Sequence, residues 1–269
     1  MAAEPEPDRA ALTRWLLAAA GAAGVLCLFA LVAPLAPSVS PYVAGTLAFA
    51  CVAAEVLTVA ALTPPLKAKS LLGLVVPFGL LIGVALLGTA LPGLAAAATV
   101  TAALLVFGTL TGGVVGRAIE EPGHLLVVAV ISALVDVFSV LHPSGPTAQI
   151  IQIEAAVNVL ILPWPILGTG RIEPVLGLGD IAFGGIYAVA SRRHGLSMKK
   201  TLIALAVGLA ATLAVVMATG AGTPALPFLG AAFVIAHPEA RRLAPKDRKR
   251  ALVGGIVLLA VFGLLFALR

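Results

Sequence analysis

Two aspartates stand where a carboxylate is hard to keep. Asp136 lies in Ser132-Ala133-Leu134-Val135-Asp136-Val137-Phe138-Ser139, and Asp180 in Val175-Leu176-Gly177-Leu178-Gly179-Asp180-Ile181-Ala182-Phe183. Of the four aspartates, the other two, Asp8 and Asp247, belong to charged, polar stretches. An ionised carboxylate near the centre of a bilayer costs at least a few kcal/mol, so an acid retained there is a functional candidate by default. Two such acids close together in low dielectric cannot both ionise cheaply, and sharing one proton gives a general base beside a general acid. The ionised member would take a proton from water attacking an amide carbonyl, while its protonated partner would donate to the carbonyl oxygen.

The elements that must position these acids are membrane helices. The 269 residues are 61% hydrophobic and 11% charged, with a mean hydropathy of +1.12, outside the range of soluble domains. Several apolar runs reach the ~20 residues that cross ~30 Å of hydrocarbon. The expected fold is an all-α polytopic membrane protein with about nine spans, near 15–33, 42–62, 71–91, 94–116, 124–141, 174–192, 201–219, 224–237 and 251–268. Residues 1–14 read as a disordered cytoplasmic tail, and 15–269 as one transmembrane domain. The prolines at 34, 37 and 41 fit a loop after the first span better than a signal-peptide cleavage site.

Charge fixes the expected orientation. With nine spans and a cytoplasmic N-terminus, 15 of the 17 Lys and Arg residues fall inside, and only Arg171 and Arg269 fall outside. Counting the apolar stretch 155–167 as a tenth span would leave seven inside, against the positive-inside rule. The loop 142–173 is therefore expected on the outer face of the cell membrane. Within it, Val157 to Leu167 has strand-like composition, with Pro163 and Pro165 suited to an edge; a membrane-dipping coil is the alternative. In this orientation Asp136 and Asp180 each lie five or six residues from the outer end of neighbouring spans, at a depth of roughly 8–9 Å.

Gly177 and Gly179 leave the approach to Asp180 without side chains, so a substrate backbone or a second helix can come close. Two spans later the chain carries Thr223-Pro224-Ala225-Leu226-Pro227. An Asp in one span, Gly-Leu-Gly-Asp in the next and Pro-Ala-Leu two spans on resemble the presenilin and signal-peptide-peptidase family of intramembrane aspartyl proteases. The match covers about 124–237, and Gly177-Leu178-Gly179-Asp180-Ile181 looks closest to the signal-peptide-peptidase branch.

That resemblance implies Asp136 and Asp180 as the catalytic pair. It also implies Gly177, Leu178, Gly179, Pro224, Ala225 and Leu226 as residues that shape the site and hold an unwound transmembrane peptide. The chain ahead of Gly177 would add a strand to the substrate. Partners would be a transmembrane or remnant-signal-peptide substrate and the lipid bilayer, with a homo-oligomer left open and no metal or organic cofactor. Val135 stands where the family usually places Tyr, Asp136 falls on the fifth span where the family has one span more before it, and an extra span follows the Pro-Ala-Leu helix.

Two other functions compete. A prepilin-peptidase-like protease also uses membrane aspartates and a Gly-x-Gly-Asp, but the cytoplasmic Cys pairs usual there are missing: Cys27 and Cys51 both lie in apolar spans and form no metal-binding or disulfide pattern. A proton-coupled transporter would fit paired acids but commonly carries internal repeats, and the two halves here show no similarity. Nucleic acid is excluded, because loop topology already accounts for the net charge of +5. The four histidines sit near span ends without ligand spacing. Glu55, in mid-span, is expected protonated and hydrogen-bonded within the bundle, with the lining of a water path as the alternative. Lys246-Asp247-Arg248-Lys249-Arg250 reads as an anchor against anionic lipid.

Overall fold

The apolar runs fold as helices because only a helix satisfies its own backbone hydrogen bonds in hydrocarbon. The computed structural model describes residues 9–37, 39–65, 83, 91 and 93–267. Its helices are α1 (Arg9–Val32), α2 (Pro41–Leu62), α3 (Gly93–Ala118), α4 (His124–Leu141), α5 (Pro146–Ile150), α6 (Glu154–Leu160), α7 (Leu178–Arg193), α8 (Met198–Thr219), α9 (Leu226–Ala236) and α10 (Pro245–Ala267). One hairpin, β1 (Ile161–Pro165) and β2 (Ile172–Gly177), interrupts them. Among the described residues six helices are long and apolar enough to cross a membrane: α1, α2, α3, α4, α8 and α10. The chain is a helical multi-pass membrane protein. The expected span 71–91 lies outside the described residues apart from Gly83 and Leu91.

Three boundaries differ from expectation. Helix α1 begins at Arg9, inside the stretch assigned to a disordered tail; residues 1–8 of that tail lie outside the described residues. Helix α10 starts at Pro245, so the charged segment is its first turns rather than a loop. The third difference concerns Asp180. Residues 172–177 are strand, and α7 starts at Leu178 rather than near 174, because Pro174 suits a strand edge and its neighbours pair with β1.

The chain divides into two compact units, residues 1–118 with 155–189 and residues 119–154 with 190–269. In the first, β1 and β2 pair antiparallel with Leu162 opposite Leu176 and Trp164 opposite Glu173, across a register shift at Leu162/Pro163. A two-stranded sheet gives each strand a free edge, which is where Pro163, Pro165 and Pro174 can omit their N–H groups. The strand expectation for Val157–Leu167 thus holds for Ile161–Pro165, while the residues just before are helical. Leu162 and Trp164 are fully buried. Trp164 packs on Phe29 of α1 at 5.4 Å between ring centroids, and Gly168 in the hairpin turn donates to the Ala33 carbonyl at 2.9 Å.

The same unit contains a backbone-to-backbone seam between α3 and α7. A Cβ at Gly112 would overlap the Ala182 carbonyl oxygen, one at Gly116 would lie 2.5 Å from the Ile186 oxygen, and one at Gly185 would lie 2.7 Å from the Thr109 oxygen. Gly108, Gly112 and Gly116 recur every fourth residue, the small-residue spacing that lets membrane helices approach closely. Thr109 on this helix accepts the Trp15 indole N–H at 3.0 Å, tying α1 to α3.

In the second unit, α9 packs between α4 and α8. Gly208 makes the contact with α8 close, since a Cβ there would lie 2.8 Å from the Leu229 Cα. Beyond it, Thr201 shares hydrogen bonds with Ser191 Oγ at 2.8 Å and with His237 Nε2 at 2.9 Å.

Candidate active site

Asp136 is half-buried on α4, five residues before the helix end at Leu141. Its Oδ2 accepts the Leu226 backbone N–H at 2.9 Å, and the Ala225 amide is a second backbone partner. Those amides are available for a simple reason: they stand at the start of α9, where the first N–H groups of a helix have no carbonyl of their own turn to bond. A helix N-terminus also favours a negative group. Pro224, Ala225 and Leu226 are all buried, so Pro-Ala-Leu and Asp136 meet inside one unit.

Asp180 belongs to the other unit. It is the third residue of α7, at the point where β2 becomes helix, and is half-buried with its own interactions. Gly177 ends the strand beside it; a Cβ there would lie 3.7 Å from Asp180 Oδ2, an ordinary contact. A Cβ at Gly179 would meet nothing within 4 Å. The Leu178 side chain lies against Gly108, and Ile181 is fully buried at the α3 seam. Asp180 is therefore carried by a helix whose opposite face is locked to α3, with open space over the glycine before it. The strand-to-helix junction keeps one side of Gly177-Leu178-Gly179-Asp180 packed and another open.

Glu55 departs from expectation. Neither carboxylate oxygen has a hydrogen-bond partner among the described residues, and neither does the Trp164 indole N–H. Both residues line a cavity of about 340 Å³ with Cys51 and Thr58. Among the described residues the acid and the Trp164 indole N–H thus face one cavity without bonding each other.

Reasoning on the chain alone missed the glycine seam on α3, although the Gly108, Gly112, Gly116 period was there to be read. It also missed the bond from Leu226 to Asp136, which no local pattern announces. The only three-residue group with metal-ligand geometry among the described residues, Glu121, His124 and Asp247, is occupied otherwise. Glu121 pairs with Lys246 at 3.0 Å, and His124 with Asp247 at 3.4 Å. Compared with known protein families, curated proteins and solved structures, the chain matches none.

Proposed function

We propose that this chain is an intramembrane aspartyl protease that hydrolyses peptide bonds within transmembrane segments or remnant signal peptides. Asp136 and Asp180 share a proton and activate water between them. The observation that carries the reading is the bond from Leu226 to Asp136. Of the three sequence elements behind the resemblance to presenilin and signal peptide peptidase, two lie 90 positions apart and come together at a carboxylate. A lone membrane acid would gain from any donor, but here the donor is the segment the resemblance names.

In this reading Gly177, Leu178, Gly179, Pro224, Ala225 and Leu226 border the substrate. The hairpin ahead of Gly177 offers its free edge to a peptide that must leave its helical form before cleavage. The fold has nine spans in the cell membrane, with a cytoplasmic N-terminus and the 142–173 segment outside. That orientation favours substrates whose N-terminus is cytoplasmic.

The direct test is purified protein with a model transmembrane peptide. Cleavage that disappears in both Asp136→Asn and Asp180→Asn supports the proposal. Intact cleavage in either variant removes it, and proton-coupled solute uptake without cleavage would point to a transporter. A double variant, Asp136→Cys with Asp180→Cys, should form a disulfide under mild oxidation, since the dyad requires carboxyls within about 3–6 Å of each other.

A further inference from the structure

Helix α10 is fastened to α4 at two places and stands away from it between them. At its start, Lys246 pairs with Glu121 and Asp247 with His124. Near its end, Phe262 and Phe266 pack on Phe138 at 5.5 and 5.8 Å between ring centroids. Between these clamps a groove of about 380 Å³ is walled by Val127, Val130 and Ile131 of α4 and by Gly254, Gly255 and Leu258 of α10. A Cβ on either glycine would meet nothing within 4 Å, and no residue of α10 is buried.

One end of this apolar groove carries Arg248 and Arg250. Arg248 donates from Nε to the Leu243 carbonyl at 3.0 Å, which holds its guanidinium there and leaves the terminal nitrogens as donors. Of the nearby acids, Glu121 pairs with Lys246 and Asp247 with His124, and Glu120 acts on Lys246 as well. The groove thus ends in two arginines at the edge of the apolar segment, where a bilayer places its phosphates.

We propose that this groove is a binding site for one anionic phospholipid of the bilayer, its phosphate on Arg248 and Arg250 and an acyl chain along the glycines. Guanidinium groups match phosphate geometry with paired donors, and the apolar channel below them accepts hydrocarbon rather than a polar ligand. The site is independent of the proteolytic reading and of which side of the membrane the loops occupy.

The test uses the full chain extracted from vesicles of equal phosphatidylglycerol and phosphatidylcholine, with bound lipid read by native mass spectrometry. The expected result is one retained phosphatidylglycerol per chain. R248Q/R250Q should lower that preference roughly ten- to thirty-fold, and K199Q/K200Q, an equal charge loss elsewhere, should leave it unchanged. G255L, whose Cβ meets nothing within 4 Å and whose side chain takes up groove space, should expel the lipid with all charges intact. Equal loss in K199Q/K200Q would reduce the effect to general surface attraction and overturn the site. So would undiminished lipid in G255L, or a dimer that G255L converts to monomer without changing the lipid.

Discussion

Leu226 gives its main-chain N–H to Asp136 Oδ2 at 2.9 Å, so the start of one helix is held by an acid in the middle of another. Removing the acceptor leaves a buried amide unbonded, which costs about 1–3 kcal/mol. Asp136→Ala should therefore lower the unfolding midpoint clearly. Asp136→Asn keeps an oxygen at the same place and should unfold close to the parent. Peptide cleavage should fall by at least about a hundredfold in both, since neither can exchange the proton. Thermal unfolding in detergent beside a cleavage assay separates the two roles of one side chain.

The glycines near Asp180 and those on α3 should respond oppositely to a methyl group. Gly112→Ala forces a Cβ into the Ala182 carbonyl and should destabilise by about 1–3 kcal/mol. Gly179→Ala enters open space and should leave stability within about 0.5 kcal/mol. If Gly179→Ala nonetheless slows cleavage, the space over that residue is used by substrate. Helical content and thermal midpoint, measured together for both variants, give the comparison.

Glu55 presents the reverse of Asp136: a half-buried acid that the described residues leave without a hydrogen bond. Replacing an uncompensated buried polar group by an apolar one of similar size removes a desolvation cost of about 1–3 kcal/mol. Glu55→Met should raise the unfolding midpoint. A fall instead would mean that the carboxyl has a partner in its working state.

His194, just past the end of α7, bonds the Ile119 carbonyl through Nε2 at 3.1 Å. Burial holds its pKa below the ordinary 6.5, and the nearby Arg193 and His124 push the same way against the carbonyl. The folded chain thus takes up this proton less readily than the unfolded one. Stability is then fully present above about pH 6.5 and declines as pH falls below it. His194→Gln should flatten that part of the stability profile between pH 7 and 5.5, read by thermal unfolding in buffers of matched ionic strength.

What the residues alone disclosed follows from which forces are local. Span positions came from runs of Leu, Val and Ala. Most helix ends lie within a few residues of expectation, α4 at both ends, because hydropathy acts along the chain. The start of α7 was misplaced because Pro174 and its neighbours are apolar enough to pass for helix; only pairing with Ile161–Pro165 makes them strand. The Pro-Ala-Leu segment could be named from its resemblance, but its bond to Asp136 joins residues 90 positions apart. Glu55 was misjudged for a related cause: whether an acid has a partner depends on what other helices bring to it.

The glycine-lined contact of α3 with α7 has a mechanical consequence. With main chain resting on main chain, neither rod can slide or roll past the other without steric collision at Ala182, Ile186 and Thr109. Asp180 cannot be repositioned by moving its own helix alone. Any gating that admits a bulky guest must carry both rods as one stiff part and flex at looser joints elsewhere.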